Sequence, residues 1–566
     1  MYIYVSWPMN INPPLTPQAL LEQILQIERM EHGSLCVTGQ GPNGPYYNLS
    51  SWEDGQNQCR YLPQDKAPAV QQAIEGYQKY QQLTEQYAQQ VIEQTRAELE
   101  IGVKKKAPAP TPTLAPPQIL LAQDQEIGQL MARFQSEEPN GVAVQQLEVL
   151  VRTAIFKPAN QVIGYLLQNA ANRIDAAYQP KPGEQHKGRV EAGVDCIFGS
   201  FRLQRDYYYH EGKKQGHYPA DAGLGLEGGK TPALARLICL EGADESSYQK
   251  AENHLWETGG IKVSARQIQR LVQPVGEAAQ HWQEREAQVP EPGTKAVPIM
   301  YASADASGVP MRQKELEGRA GKGADGKAKT RMAYLGCVFT QHKRDEKGHP
   351  IRDHDSTTYV SSFGSIDTFG PTLRQEAIRR GLALAMQIVL LIDGATTLAK
   401  MGLDCFRNAI QIVDFYHALE HAGHVLVALL GSKEHPDYKS RLHHWAKQLL
   451  KDQVEKLIAQ AREECAGTCR AEAVEKQLGY FINNVERMQY GTFRRQGFFI
   501  GSGVIEAGCK TVIGARCKQS GMFWGKPGAE NVLALRCIRA SGRLDQFWKE
   551  RLNAHATLND CLTLSE

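Results

Sequence analysis

Three acidic residues stand where an apolar run or a glycine-rich segment could place them in a catalytic site. Asp305 closes the run AVPIMYASAD, Asp393 closes the run QIVLLID, and Glu506 lies in GSGVIEAGCK. Mg²⁺ and Mn²⁺ prefer carboxylate oxygens, and two such ions about 4 Å apart can hold the attacking and leaving oxygens of a phosphodiester displacement. We predict one two-metal site, with Asp305 shared by both ions, Asp393 on one ion and Glu506 on the other. Mg²⁺ is the expected cofactor, and Mn²⁺ is possible.

A mixed sheet would bring these residues together. The pattern of apolar runs predicts the order β-β-β-α-β-α-β, in which the last two strands are parallel and buried. Catalytic groups in such sheets lie at the carboxyl ends of strands, and Gly394 permits a sharp turn directly after Asp393. The order is that of a ribonuclease H-like domain, with Glu506 on a helix at Gly501–Lys518. The five predicted strands are Ala296–Asp305, Arg331–Thr340, Thr357–Phe363, Gln387–Ile392 and Ala409–Val413, with a helix at Pro371–Met386.

Asp414 and His417 admit two interpretations. Asp414 directly precedes the helical segment FYHALEH, and a helix N-cap is the stronger interpretation of an aspartate in that position. His417 lies three residues later and could position a phosphate or a water molecule beside the carboxylates. An ordinary histidine on a helix is the interpretation that the residues alone favour.

The bulk properties restrict the class of protein without naming it. A chain of 566 residues is too long to fold around one hydrophobic core, so two to four domains are expected. A formal net charge of +2 and a pI near 7.9 do not indicate nucleic-acid binding by themselves, so any such function must rest on local basic patches. Twelve scattered cysteines, no signal peptide and no membrane-length apolar run lead us to expect a cytoplasmic protein.

Two segments carry candidate DNA-binding residues. Residues 246–272 fit a helix-turn-helix, with Ser264 as the N-cap of a second helix at Ala265–Val272. An αα-hairpin without DNA contact is an equally weighted alternative. In FRRQGFFIGSGVIEAGCKTVIGARCK, cations could hold phosphates while Phe493, Phe498 and Phe499 stack on a base; the alternative is a solvated helix face beside a core cluster. The candidate residues are Arg266, Gln267, Arg270, Arg494, Arg495, Lys510, Arg516 and Lys518.

The predicted organisation is an α/β catalytic domain with a helical insertion, a mainly helical DNA-binding region and a small α+β N-terminal module. The clearest boundary is the proline-rich stretch KKKAPAPTPTLAPP. The predicted parts are 1–103 (accessory module ending in a long helix), 104–117 (linker), 118–290 (DNA-binding region with a strand pair in Asp195–Tyr209), 291–417 with 491–548 (catalytic domain), 418–490 (helical insertion) and 549–566 (tail).

The segments LIDGA, IVDFYHALEH and GSGVIEAGCKTVIGARCKQSGMFWGKPGAENVLALR, with the upstream CIFGSFRLQRDYYY, resemble the Kra-type insertion-sequence transposases of the Mutator-like DDE group. The resemblance covers about residues 118–548. It implies a ribonuclease H-like catalytic domain with Asp305, Asp393 and Glu506 as metal ligands and Asp414 with His417 as a signature pair. In this group the residue after the first aspartate is often glycine, whereas here it is Ala306.

The function that the resemblance implies is a DNA transposase. Such an enzyme binds the terminal inverted repeats of its element, cleaves there and joins the freed 3′-hydroxyls to target DNA. Its partners would be double-stranded DNA, both transposon ends and target, and at least one further copy of itself. We expect it in the bacterial cytoplasm, at the nucleoid when bound to DNA. The rivals are a domesticated transposase that only binds or regulates DNA, and a structure-selective nuclease of the same fold.

Overall fold

The computed structural model describes residues 17–41, 44–53, 56–98, 141–319, 321 and 328–560. The chain divides into two units, Met1–Ala109 and Pro110–Glu566. The linker predicted at 104–117 and the first part of the predicted DNA-binding region, residues 118–140, lie outside the described residues, so both remain predictions.

The first unit is a small α+β module. A short helix, α1 (Pro17–Leu25), is followed by three strands, β1 (Ser34–Gly41), β2 (Gly44–Glu53) and β3 (Gln56–Leu62), which pair antiparallel in chain order. The long helix α2 then spans Ala67–Glu98. The predicted long helix is present in the part of this unit that the structure describes.

The second unit begins with a helix packed on a hairpin. The elements are α3 (Gly141–Ala177), β4 (Glu184–Cys196), β5 (Gly199–His210), β6 (Gln215–His217), α4 (Pro219–Gly223) and α5 (Pro232–Asp244). The strand pair predicted inside Asp195–Tyr209 is wrong in its bounds, because that stretch holds the end of β4 and most of β5. Among the residues of β4 only Val194 and Cys196 are buried, so the strand lacks the apolar alternation that would have revealed it.

Two consecutive helices occupy the predicted helix-turn-helix segment. Helix α6 (Tyr248–Gly259) stops at Gly260, whose φ of 61° suits a residue without a side chain. Helix α7 (Ala265–Glu284) begins with a capping box between Ser264 and Gln267. The predicted end at Val272 is wrong, since α7 continues through Pro274 while buried Val275 and Ala279 extend its apolar stripe.

A five-stranded mixed sheet forms the centre of the unit. Its strands are β7 (Val297–Pro310), β8 (Thr330–Gln341), β11 (Thr358–Ser362), β12 (Ala385–Ile392) and β13 (Ile410–Val413); a minor hairpin, β9 (Lys343–Arg344) and β10 (Pro350–Ile351), stands apart. The order across the sheet is β11-β8-β7-β12-β13. The first three strands pair antiparallel, whereas β12 is parallel to both β7 and β13. All five predicted strands are present, but β7 extends five residues beyond Asp305, which therefore lies within the strand.

Helices cover both faces of this sheet. Met300, Leu390 and Ile392 project to one face, where they pack with buried side chains of α8 (Ile366–Arg379) and α9 (Thr396–Cys405). Alternate residues such as Tyr301 and Leu391 project to the other face, against the large core. The helix predicted at Pro371–Met386 is wrong in its bounds, because residues from Ala385 onward pair as β12.

The remaining chain is helical in the residues that the structure describes. The helices are α10 (Phe415–Leu430), α11 (Tyr438–Leu449), α12 (Val454–Cys465), α13 (Ala471–Ile482), α14 (Tyr490–Arg495), α15 (Gly503–Gly508), a π-helical turn (Cys509–Gly514), α16 (Ala515–Cys517), α17 (Lys526–Ala540) and α18 (Leu544–Asp560). The predicted tail at 549–566 is therefore helical as far as Asp560. Within the described residues no helix has both the length and the apolar character needed to span a bilayer.

Candidate active site

Three aspartates stand in one row across three neighbouring parallel strands. Ser303 of β7 pairs with Leu391 of β12, so Asp305 and Asp393 each lie two residues beyond the same registered pair. Ile392 of β12 pairs with Val413 of β13, so Asp393 and Asp414 each lie one residue beyond that pair, and the N–H of Asp414 donates to the Ile392 carbonyl at 2.8 Å. Adjacent strands are about 4.8 Å apart, so the three residues are consecutive neighbours at one edge.

The row projects toward the face of the sheet that carries α15. Asp393 faces the same side of the sheet as Leu391, two residues earlier, and Asp305 faces the same side as Tyr301, four residues earlier. Both Leu391 and Tyr301 belong to the large core. Ile505 and Cys509, from α15 and the π-helical turn, are buried in the same core. The strand period therefore directs the aspartates to the side on which Glu506 lies.

Asp414 has both carboxylate oxygens engaged by the backbone. Its Oδ1 accepts from the N–H of His417 at 2.7 Å, which caps α10, and its Oδ2 accepts from the N–H of Ser502. The residue is fully buried. Burial acts to raise the pKa of Asp414, but the contacts with His417 and Ser502 outweigh burial and lower the pKa. The N-cap interpretation of Asp414 is confirmed.

Asp393 is held at a tight turn. Its Oδ1 accepts from the N–H of Ala395 at 2.8 Å, and no described residue donates to its Oδ2. Gly394 has φ of +84°, and a Cβ there would lie 2.7 Å from Oη of Tyr480. The Tyr480 hydroxyl donates to the Asp393 carbonyl at 2.7 Å, and its ring stacks on His421. This packing fixes the turn and leaves one carboxylate oxygen of Asp393 available to a ligand.

Glu506 and Asp305 are joined through α15 and the π-helical turn. The hydroxyl of Ser502 donates to Oε1 of Glu506 at 3.2 Å, and the backbone of the same serine contacts Asp414. Cys509, one helical turn beyond Glu506, contacts the Asp305 carboxylate; burial first, and then that carboxylate, raise the pKa of the thiol. π-helical turns are frequent at functional sites.

His417 places a positive charge among these acids. Its Nδ1 lies 3.3 Å from Oδ1 of Asp414, close enough for an ion pair although outside hydrogen-bond geometry. Contact with Asp414 raises the pKa of His417 to about 9, burial opposes this, and the charges of Asp393 and Glu506 add to the rise. Ligand atoms of Asp414, His417 and Glu506 all lie within 4.8 Å of one another.

The donor set suits a hard divalent cation. Asp305, Asp393 and Glu506 offer carboxylate oxygens, the ligands preferred by Mg²⁺ and Mn²⁺. Asp393 and Glu506 each keep one oxygen that accepts no hydrogen bond from the described residues. Asp414 is the acid least available to a cation, because each of its oxygens already accepts a backbone N–H.

The predicted phosphate-binding role of Arg516 is wrong. The side chain is only 1% exposed, and it donates to the backbone carbonyls of Gly242 and Ser246. Its guanidinium lies over the rings of Tyr248 and Trp524, at 4.8 and 4.9 Å from their centroids. Arg516 therefore joins α6 to the segment after α16 and cannot reach a DNA backbone.

The other candidates in this segment divide into exposed cations and buried rings. Arg494, Lys510 and Lys518 are exposed, and Lys518 donates to Oγ of Ser307 at 2.6 Å. Arg495 is also exposed but forms an ion pair with Asp452 at 3.1 Å. The stacking role predicted for Phe493, Phe498 and Phe499 is wrong for the first two, which are buried, and Phe499 packs edge-on against Tyr301.

On α7, Arg266 and Arg270 are exposed, as a recognition helix requires. Gln267 is also exposed, but its Oε1 accepts from the N–H of Ser264 at 2.9 Å and completes the capping box. Gln267 is therefore engaged in holding the start of the helix.

Three supporting residues were not foreseen from the sequence. Ser502 links Asp414 to Glu506, Cys509 contacts Asp305, and Tyr480 fixes the turn after Asp393. The first two lie four residues before and three residues after Glu506, which is the helical spacing that shares a face. No sequence pattern near Tyr480 indicates its role, because it comes from a helix 87 residues from Asp393.

Comparisons with known proteins give limited matches. Residues 138–323 match an uncharacterised protein family (UPF0236), a span that includes Asp305 and ends before Asp393. A search of curated proteins finds no match. Among solved structures, the chain is similar to the Drosophila P element transposase strand transfer complex at 13% identity and a TM-score of 0.21, over 57% of this chain and 80% of that chain. A TM-score of this size does not establish a shared fold.

Proposed function

We propose that the protein is a transposase-like enzyme that cleaves DNA phosphodiester bonds and transfers the freed strands. The observation that carries the proposal is the registered row of Asp305, Asp393 and Asp414, with Glu506 beside it. The order β11-β8-β7-β12-β13, with two antiparallel pairings followed by two parallel pairings, supports a ribonuclease H-like domain. The sequence resemblance to Kra-type transposases supports the reaction.

Asp305, Asp393 and Glu506 would hold two Mg²⁺ or Mn²⁺ ions, which when bound activate a nucleophile and stabilise the charge of the displaced oxygen. The chain's own part is to fix these carboxylates. The hydroxyl of Ser502 orients Glu506, and the turn at Gly394 orients Asp393. Protonated His417 offsets part of the negative charge that the acids bring together.

DNA would be held by the exposed cations near the site and on α7. Lys510 and Lys518 follow Glu506 in the chain, and Arg266 and Arg270 lie on the face of α7 that is open to solvent. Phosphate contacts of this kind position a duplex, and exposed side chains of a recognition helix read its bases. Joining two element ends to a target requires at least two copies of the chain.

The test is cleavage of a labelled duplex that carries the DNA flanking the coding sequence. Asp393→Asn should lower Mg²⁺-dependent cleavage and strand transfer by about 10²–10³-fold or more, the loss typical when one preorganised charge-stabilising group is removed. Asp404→Asn, which changes an exposed aspartate on the next helix, is the matched control and should retain activity.

The outcomes separate the proposal from its rivals. Cleavage without joined products would indicate a nuclease, and specific binding without cleavage in Mg²⁺ or Mn²⁺ would indicate a DNA-binding regulator. Equal activity of the Asp393→Asn variant and the wild type would refute the metal site.

A further inference from the structure

A cleft of about 450 Å³ lies beside the catalytic sheet and takes no part in the proposed reaction. Its walls come from the start of α6, from α7, from the turn after β7 and from the segment that follows α16. We call it the Phe523 cleft. The residues on which the argument depends are Gln269, Gln273, Arg312, Lys314, Arg516 and Phe523.

One wall contains a buried cation with an unpartnered donor. Arg516 is 1% exposed, and its Nε has no hydrogen-bond partner among the described residues. Its guanidinium lies over the rings of Tyr248 and Trp524, its terminal nitrogens donate to backbone carbonyls, and no carboxylate among the described residues pairs with it. Arg516 therefore places a fixed positive charge behind the wall of the cleft, which favours a ligand that carries negative charge.

At the mouth of the cleft an exposed aromatic ring lies beside two further cations. Phe523 is 61% exposed, which is unusual for a phenylalanine that borders a cleft. Arg312 and Lys314 are exposed next to it. The one acid in the lining, Glu315, lies 3.9 Å from Arg331, so the lining carries three cations and one acid that is already near a cation.

The cleft lies along the strand that carries Asp305. The chain from Glu506 to Trp524 follows β7: Cys509 contacts Asp305, Lys518 contacts Ser307, and the N–H of Arg312 donates to the Trp524 carbonyl at 2.8 Å. Met311, which forms a bridge with Trp524, is six positions beyond Asp305, so the cleft is about 20 Å from Asp305 at 3.3 Å per residue. Along a DNA strand this corresponds to about six nucleotides.

We propose that the Phe523 cleft binds a single unstacked nucleotide of a DNA strand whose cleavage site lies at the acidic row. The base stacks on Phe523, the side-chain amides of Gln269 and Gln273 meet base edges, and Arg312 and Lys314 hold the adjoining phosphate. Aromatic faces and cations together are the chemistry that proteins use for unpaired nucleotides. This inference rests on the proposed function for the origin of the strand.

The test measures binding without chemistry. Fluorescence anisotropy in EDTA would compare a labelled dT12 strand, the corresponding duplex, and dTMP as a competitor. Phe523→Ala should weaken dT12 binding by about 5- to 150-fold, the loss of one stacked base, and should leave duplex binding within about twofold. Phe523→Trp should restore binding, and Tyr61→Ala, which removes an exposed aromatic from the first unit, should change nothing.

Each outcome decides the proposal. Unchanged dT12 affinity in Phe523→Ala, or no dT12 binding by the wild type, would overturn it. Strong competition by dTMP would assign the cleft to a free nucleotide, and weak competition to a nucleotide within a strand. Because no metal is present, the result is independent of whether Asp393→Asn abolishes cleavage, so the two proposals fail separately.

Discussion

Replacing Asp414 with Asn tests whether this aspartate is a structural cap or a metal ligand. The carboxylate accepts two backbone N–H groups, from His417 and Ser502, and is fully buried. An amide keeps one acceptor oxygen and presents its NH₂ group to the second N–H. One buried donor then loses its partner, which costs about 1–3 kcal/mol. The loss of the ion pair with His417 adds to that cost, so we expect about 2–3 kcal/mol of destabilisation.

Urea unfolding followed by tryptophan fluorescence would measure this change, with Asp393→Asn as the matched control. In Asp393→Asn the amide oxygen can still accept from the N–H of Ala395, so stability should change by less than about 0.5 kcal/mol. The two variants should therefore differ in opposite respects: Asp414→Asn loses stability, and Asp393→Asn loses cleavage. If Asp414→Asn unfolds at the wild-type urea concentration, the cap argument is refuted.

Two further predictions concern strain and pH. Gly394→Ala should destabilise the protein by about 1–3 kcal/mol and impair cleavage, because φ of +84° disfavours a side chain and the new Cβ would lie 2.7 Å from Oη of Tyr480. Gly293→Ala is the control, since Gly293 has φ of +82° but open space around it. The difference between the two variants in urea unfolding gives the cost of the steric contact with Tyr480. Burial, partly offset by Arg205, raises the pKa of Asp221 to about 6 from 3.8. The folded state therefore binds more protons between these values, stability falls as pH rises through that window, and Asp221→Asn should gain stability relative to wild type between pH 4 and pH 7. A constant difference across that range would contradict this assignment.

The sheet could be predicted because its buried strands have a clear pattern in the sequence. Buried parallel strands appear as continuous apolar runs, and the runs before Asp393 and Asp414 end at polar residues that mark the sheet edge. The end of β7 could not be read in the same way. After Asp305 the strand continues through Ala306, Ser307 and Gly308, which have no strand signature, and pairing with β8 holds them extended.

The basic residues show why local sequence is a poor guide to a surface. Arg516 and Lys518 are two positions apart in a segment rich in cations, yet Arg516 is buried against two aromatic rings and Lys518 is exposed. The difference depends on Tyr248, a residue from α6 that tertiary packing brings to Arg516. The exposed ring of Phe523 is likewise meaningful only once the cleft beside it is known.

Hydrogen bonding distinguishes Asp393 from Asp414, although the two residues occupy equivalent positions in the sheet. Asp393 and Asp414 follow registered positions on neighbouring strands, and strand geometry alone would make them equivalent. Both carboxylate oxygens of Asp414 accept a hydrogen bond from a backbone N–H group, whereas one oxygen of Asp393 does. A cation at Asp414 would compete with two backbone N–H groups for the same carboxylate, whereas Asp393 and Glu506 each keep one oxygen without a hydrogen bond from the described residues. A metal bound at this edge should therefore prefer Asp305, Asp393 and Glu506, with Asp414 holding the helix that carries His417.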